Sequence, residues 1–226
     1  MTGNIRLSRV VSRRRPARGR KFVWYWLLFV LLFAAAAMQV RWIQKLEYQI
    51  MISEKMKKEC SSAEVRDILS EMKRFPVRED PSGREACYYE NGYGDARTYG
   101  GKRQHEGIDI MASNDKAGYF KIQSVSDGVI EQMGWLPLGG YRIGVRDKNG
   151  FYYYYAHMDE YAKGIKIGER VSCGDILGTM GNTGYGEEGT KGKFAVHLHF
   201  GIYRQVGGKE KSLNPYYFLK NLEDAS

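Results

Sequence analysis

The chain has 226 residues, enough for one sizeable domain or two small ones, and 43% of them are hydrophobic. Its formal charge of +9 is not evenly spread: eight basic residues and no acidic one precede Phe22, and the remainder holds 27 Lys and Arg against 26 Asp and Glu. A domain so balanced lacks the cationic face that a phosphate backbone requires, so nucleic acid is excluded as a partner.

Residues 1–21 read as a basic cytoplasmic tail, and residues 22–40 as a transmembrane helix. The run from Phe22 to Val40 carries no charge, and its nineteen residues would span roughly 28 Å as a helix, close to the hydrocarbon thickness of a bilayer. Trp24, Tyr25 and Trp26 mark one end and Trp42 the other, as interfacial aromatics do. The cationic tail places the N-terminus in the cytoplasm and everything after Arg41 outside. A cleaved signal peptide is the competing reading, with Ala34 to Ala37 offering a small-residue site. The length of the apolar run and its aromatic flanks favour a retained anchor, and both readings export the rest of the chain.

Residues 41–75 are charged, rich in helix formers and free of glycine and proline. Ser61-Ser62-Ala63-Glu64 fits a capping box, and Val65, Ile68, Leu69 and Met72 follow helical spacing up to Pro76. This predicts a short helical stalk, a solvated spacer on which envelope proteins could dock. Cys60, Cys87 and Cys173 are odd in number and show no CxxC spacing, so they make neither a zinc knuckle nor a disulfide framework.

From 76 to 226 the pattern changes to short apolar runs punctuated by glycine. Tyr119–Trp135 reads as two strands around Asp127-Gly128, and Tyr141–Met158 as two more around Asn149-Gly150. Gly174–Met180 and Phe194–Tyr203 add further strands, and a helical period returns only in the last dozen residues. The class is mainly β. In the run Tyr152–Tyr155, alternation puts Tyr153 and Tyr155 on one face and Tyr152 and Tyr154 on the other, half of them for the core.

The four histidines all lie at strand ends or glycine-rich turns. His197 and His199, two apart in one strand, point to the same face. His105 and Asp109 would stand about 13 Å apart in an extended chain, and a bend allowed by Gly107 would bring them together. One aspartate and two histidines supply the three protein ligands of a catalytic zinc that keeps a fourth position open. A further histidine beside that position could take a proton. Asp159, Glu160 and Asp175 show no distinctive spacing and read as surface charges.

HEGID at 105–109, YAHM at 155–158, VHLHF at 196–200, GNTG at 181–184 and SDGVI at 126–130 together resemble the lysostaphin-type, or LytM-like, zinc metalloendopeptidases. The resemblance covers about Tyr93 to Phe218. It implies an antiparallel LytM-like β-sheet domain with a groove, one Zn2+ held by His105, Asp109 and His199, and catalytic roles for His157 and His197. Tyr99 matches a tyrosine that faces the groove in some members. The implied substrate is a peptide bond in the stems or cross-bridges of bacterial peptidoglycan.

Three departures stand out. Val196 replaces the proline that often precedes H-x-H, Gly184–Phe194 lengthens the approach to that strand, and GYFKIQ replaces the usual glycine-proline lead into the S-D-G turn. None removes a ligand or a catalytic histidine. Two other readings are a non-catalytic LytM-like scaffold or regulator in an envelope, division or sporulation complex, and a binding module with a structural zinc. The intact set of five residues favours the enzyme over the first. The absence of cysteine from the histidine motifs disfavours the second.

Overall fold

The computed structural model describes residues 18–225, with side chains from Phe22 to Glu223; the basic tail read over 1–21 lies outside the described side chains. Helix α1 runs from Arg18 to Glu59. Its stretch from Phe22 is long and apolar enough to cross a membrane, with a mean hydropathy of 2.0 over 18 residues, none of them buried. The chain divides into two compact units, 1–48 and 49–226.

The second unit contains more than the β domain read from sequence. Ile52 and Met56, at the end of α1, are buried, as are Cys60, Val65, Ile68 and Met72. Helix α2 (Ser62–Glu71) has the expected capping box, with the Glu64 amide on the Ser61 hydroxyl and the Ser61 amide on the Glu64 carboxylate. It is no solvated spacer. Its apolar stripe is covered, Arg204 pairs with Glu64, and Lys148 pairs with Glu71 at 2.9 Å. The helix packs because Val65, Ile68 and Met72 fall on one face, and burying that face outweighs the gain of solvating its charges.

The strands are β1 (Cys87–Tyr88), β2 (Ala96–Arg97), β3 (Arg103–Gln104), β4 (Ile108–Ala112), β5 (Lys121–Gln123) and β6 (Gly128–Leu136). They continue with β7 (Gly140–Arg146), β8 (Tyr152–Tyr161), β9 (Arg170–Val171), β10 (Ile176–Met180), β11 (His197–Val206) and β12 (Lys209–Leu213), and helix α3 (Tyr216–Ala225) closes the order. One antiparallel sheet has the order β1-β4-β11-β8-β7-β6-β9, with β12 beside β11, β10 beside β8 and β5 beyond β10. Strands β2 and β3 form a separate hairpin.

Local chemistry sets the turns. At the β7–β8 hairpin, Asp147 accepts from the amides of Asn149 and Phe151, each at 2.9 Å, and Gly150 takes the positive φ of 88°. Gly207 and Gly208 both have positive φ and join β11 to β12, with Val206 opposite Lys209. Tyr153, Tyr155 and Phe200 fill the core at full burial, whereas Tyr152 and Tyr154 stay partly exposed on the other face. All three cysteines are free thiols, and burial pushes Cys60 up to about 11 and Cys87 up to about 12.

Candidate metal centre and cleft

Strands β4, β8 and β11 lie side by side, and their register assembles the site. Asp109 stands directly opposite His199 across the β4–β11 ladder, and His197 stands opposite Met111. Because i and i+2 share a face, His197 and His199 both open into the same cleft, of about 480 Å3, together with Asp109. His105 arrives from the segment between β3 and β4. Its Nε2 lies 3.0 Å from Asp109 Oδ1 and 2.9 Å from His199 Nδ1, and that Nδ1 lies 3.1 Å from the same carboxylate oxygen.

Gly107 allows this approach through its missing side chain rather than through a special φ. A Cβ there would sit 2.6 Å from both His199 Nε2 and the Phe200 carbonyl oxygen. The bend expected between His105 and Asp109 therefore depends on close passage of β11 over residue 107.

The tautomers follow from the backbone partners, because a carbonyl oxygen can only accept. His105 Nδ1 donates to Gly92 O at 2.9 Å, His157 Nδ1 to Thr183 O at 2.8 Å, and His197 Nδ1 to Ala195 O at 2.8 Å. Each of the three rings then keeps its Nε2 lone pair. Only His199 turns its Nδ1 inward. Two imidazole nitrogens and a carboxylate oxygen thus converge, and one ligand atom from each lies within 4.8 Å of the others. Three acceptors at such range repel unless a cation or proton sits among them. Ligands around a tetrahedral zinc stand about 3.3 Å apart, so this donor set fits a zinc ion.

Arg97, in β2, was not singled out by sequence. Its Nη2 donates to Asp109 Oδ2 at 2.7 Å, leaving Oδ1 to face the histidines. The same Nη2 lies 2.9 Å from His105 Nδ1, but that nitrogen already donates to Gly92. The carboxylate is therefore the guanidinium's acceptor.

His157 adopts a positive φ of 61°, uncommon outside glycine, where β8 bulges against its neighbours. Its amide donates to Gly139 O at 2.7 Å and its ring lies 4.7 Å from that of His197, centre to centre. Thr183 fixes the spot: its hydroxyl donates to Met158 O at 2.7 Å and accepts from the Tyr141 amide at 3.1 Å, while its carbonyl takes the His157 proton. Burial lowers the pKa of His157 well below the ordinary histidine value and lowers that of His197 as well, so both rings are neutral at pH 7.

The other wall is made of loops. Tyr185 and Phe194, from the lengthened 184–194 segment, line the cleft with Tyr154 and Leu138. Tyr99, at the tip of the β2–β3 hairpin, stacks on Tyr185 at 4.1 Å between ring centres and donates to its carbonyl at 2.6 Å. At Val196, where a proline would have no amide proton, the amide donates to Asp115 at 2.6 Å. That departure is satisfied locally.

Residues 103–215, half of the chain, match the model of peptidase family M23. The chain belongs to peptidase family M23. It is similar to the L-Ala–D-Glu endopeptidase of Bacillus subtilis, with 44% identity over 149 residues, 66% of this chain and 43% of that protein. It is also similar to lysostaphin of Staphylococcus simulans, with 30% identity over 119 residues, 52% of this chain and 22% of that protein. Among solved structures, a LytM protein of Ruminococcus gnavus superposes with a TM-score of 0.67 and 47% identity, over 72% of this chain and 64% of the other. The match thus covers less than half the length of the curated relatives. M23 peptidases are zinc-dependent in general, in keeping with the donor set of His105, Asp109 and His199. The antiparallel sheet and its cleft are the LytM-like fold expected from the sequence.

Proposed function

We propose that this M23 member is a membrane-anchored zinc endopeptidase that hydrolyses peptide bonds in the stems or cross-bridges of bacterial peptidoglycan. The observation that carries the reading is the convergence of His105 Nε2, Asp109 Oδ1 and His199 Nδ1 beside two further neutral histidines. Likeness to endopeptidases, including one whose name specifies an L-Ala–D-Glu bond, supports the substrate class. The apolar helix from Phe22, preceded by basic residues, supports an anchor with a cytoplasmic N-terminus and an exported domain.

His105, Asp109 and His199 hold the ion in this reading, with Arg97 orienting the carboxylate. A zinc ion there supplies the charge that acidifies water and polarises a peptide carbonyl. The chain's own groups handle the proton and the developing charge. His197, with Nδ1 tied to Ala195 O, presents a free Nε2 3.7 Å from Asp109 Oδ1, on the metal side of the cleft. His157 presents the same nitrogen from the β8 side, its orientation fixed by Thr183. One ring accepts a proton from the attacking water at its free Nε2, and that same proton then passes to the leaving amine, directly or by way of the other ring's Nε2. Tyr185 and Phe194 narrow the cleft and limit water around the reacting bond.

The test uses the full chain in detergent, loaded with zinc and incubated with peptidoglycan of several cross-link types. Mass spectrometry of the digests is expected to show new amine and carboxylate ends that disappear in His199→Ala. A zinc-loaded protein that cuts no wall type would move the reading to the scaffold or regulator.

A further inference from the structure

The β2–β3 hairpin places two arginines face to face. Arg97 and Arg103 are direct cross-strand partners, so both side chains leave the ladder on the same side. Like charges in that position destabilise a hairpin unless each finds a counter-charge. Arg97 finds Asp109. Arg103 lines the same cleft as His105 and Asp109, and its Nε is buried with no hydrogen-bond partner.

Two other arginines also leave Nε buried and unbonded, but their terminal nitrogens are engaged. Arg142 donates to Gln132, and Arg204 pairs with Glu64. Arg103 makes no hydrogen bond or ion pair with any of the described residues. A guanidinium never deprotonates in a protein, so burying part of it unpaired carries a persistent cost. An acceptor arriving from outside the chain removes that cost, and the planar fork suits a carboxylate in two-point contact. The acidic residues of the cleft, Asp109 and Glu106, make a doubly charged phosphate the poorer match.

We propose that Arg103 is a specificity-determining residue that clamps a free carboxylate of the peptide substrate, beside the metal ligands. This rests on the hydrolase reading, and it deepens that reading to stem peptides bearing an unblocked side-chain or α-carboxylate near the bond that is cut. An acidic stem residue whose α-carboxylate is free meets the requirement, and its carboxamide form does not.

The experiment compares two synthetic stem peptides containing L-Ala–D-Glu that differ only in a free α-carboxylate or its carboxamide. Binding to the zinc-loaded full chain in detergent is measured by calorimetry, and cleavage is followed by mass spectrometry in the same samples. The free carboxylate is expected to bind about 10- to 100-fold more tightly, the range of a charged hydrogen bond. In Arg103→Gln that ratio falls to near one, and in Arg103→Lys, which keeps the charge without the fork, it falls partway. Equal binding of both peptides by the wild type, binding of neither, or an undiminished ratio in Arg103→Gln overturns the proposal. A preserved binding ratio without any cleavage removes the hydrolase reading instead and leaves the carboxylate clamp standing.

Discussion

The two walls of the cleft are built on different principles. The sheet wall places His199 opposite Asp109, with His197 two residues away on the same face, by ladder register alone. The loop wall places Tyr99, Tyr185 and Phe194 by stacking and single hydrogen bonds between segments that are not in the main sheet. A ladder fixes side chains to a fraction of an ångström because each strand is held from both sides. Loops concede that stiffness and gain freedom to vary. Chemistry is expected from the first wall, and selectivity from the second.

The largest effect is expected at the residues proposed to hold the metal. In His199→Ala or Asp109→Ala, zinc content measured by atomic absorption after dialysis is expected to fall from one ion per chain to near none. Peptide cleavage should vanish with it, while the melting temperature of the metal-free protein shifts little. A variant that keeps both zinc and cleavage would show that the convergence at 2.9–3.1 Å is not the metal centre.

Gly107→Ala should follow, because the added Cβ meets backbone as well as a ring. Overpacking of this kind costs about 1–3 kcal/mol, so denaturant unfolding should move to lower midpoint. Zinc affinity should fall together with stability, since the atoms displaced are those of His199 and Phe200. Thr183→Val tests the sheet wall without touching a ligand. It removes hydrogen bonds to Met158 O and from the Tyr141 amide in a fully buried site, for a loss of about 1–3 kcal/mol. Zinc content should stay at the wild-type level while kcat drops, because the carbonyl that orients His157 shifts. A variant that loses zinc and kcat in step would place Thr183 with the metal centre.

Much of the sheet wall was legible in the sequence, because it obeys period two. His197 and His199 on one face, Tyr153 and Tyr155 in the core, and the hairpin at Asn149-Gly150 all follow from alternation and turn chemistry. Arg97, Arg103 and Thr183 were not singled out, since arginine and threonine in glycine-rich loops carry no periodic signal. The pairing of Arg97 with Asp109 spans twelve residues through a two-residue strand, which no local pattern announces. The packing of α2 was missed for a related reason. Val65, Ile68 and Met72 announced an apolar stripe, but a stripe alone does not name the surface that covers it.

The smallest expected effect on stability sharpens the contrast most. Tyr185 has a φ of 58°, a left-handed conformation that costs a non-glycine residue of order 1 kcal/mol. Its stack on Tyr99 returns about 0.5–1.5 kcal/mol. Tyr185→Gly removes the strain together with the stack on Tyr99 and the edge contacts to Phe194 and His157, so the relief offsets part of the loss and the melting temperature should fall only slightly. Zinc content should also hold, because no ligand depends on this loop. The change belongs in KM for a stem peptide, rising several-fold as the loop wall loses its aromatic face. Tyr185→Phe should leave all three quantities as in the wild type, since the bond to Tyr99 runs through the backbone carbonyl of residue 185. If Tyr185→Gly instead lowers kcat at unchanged KM, the loop wall takes part in the chemistry and the division between the two walls fails.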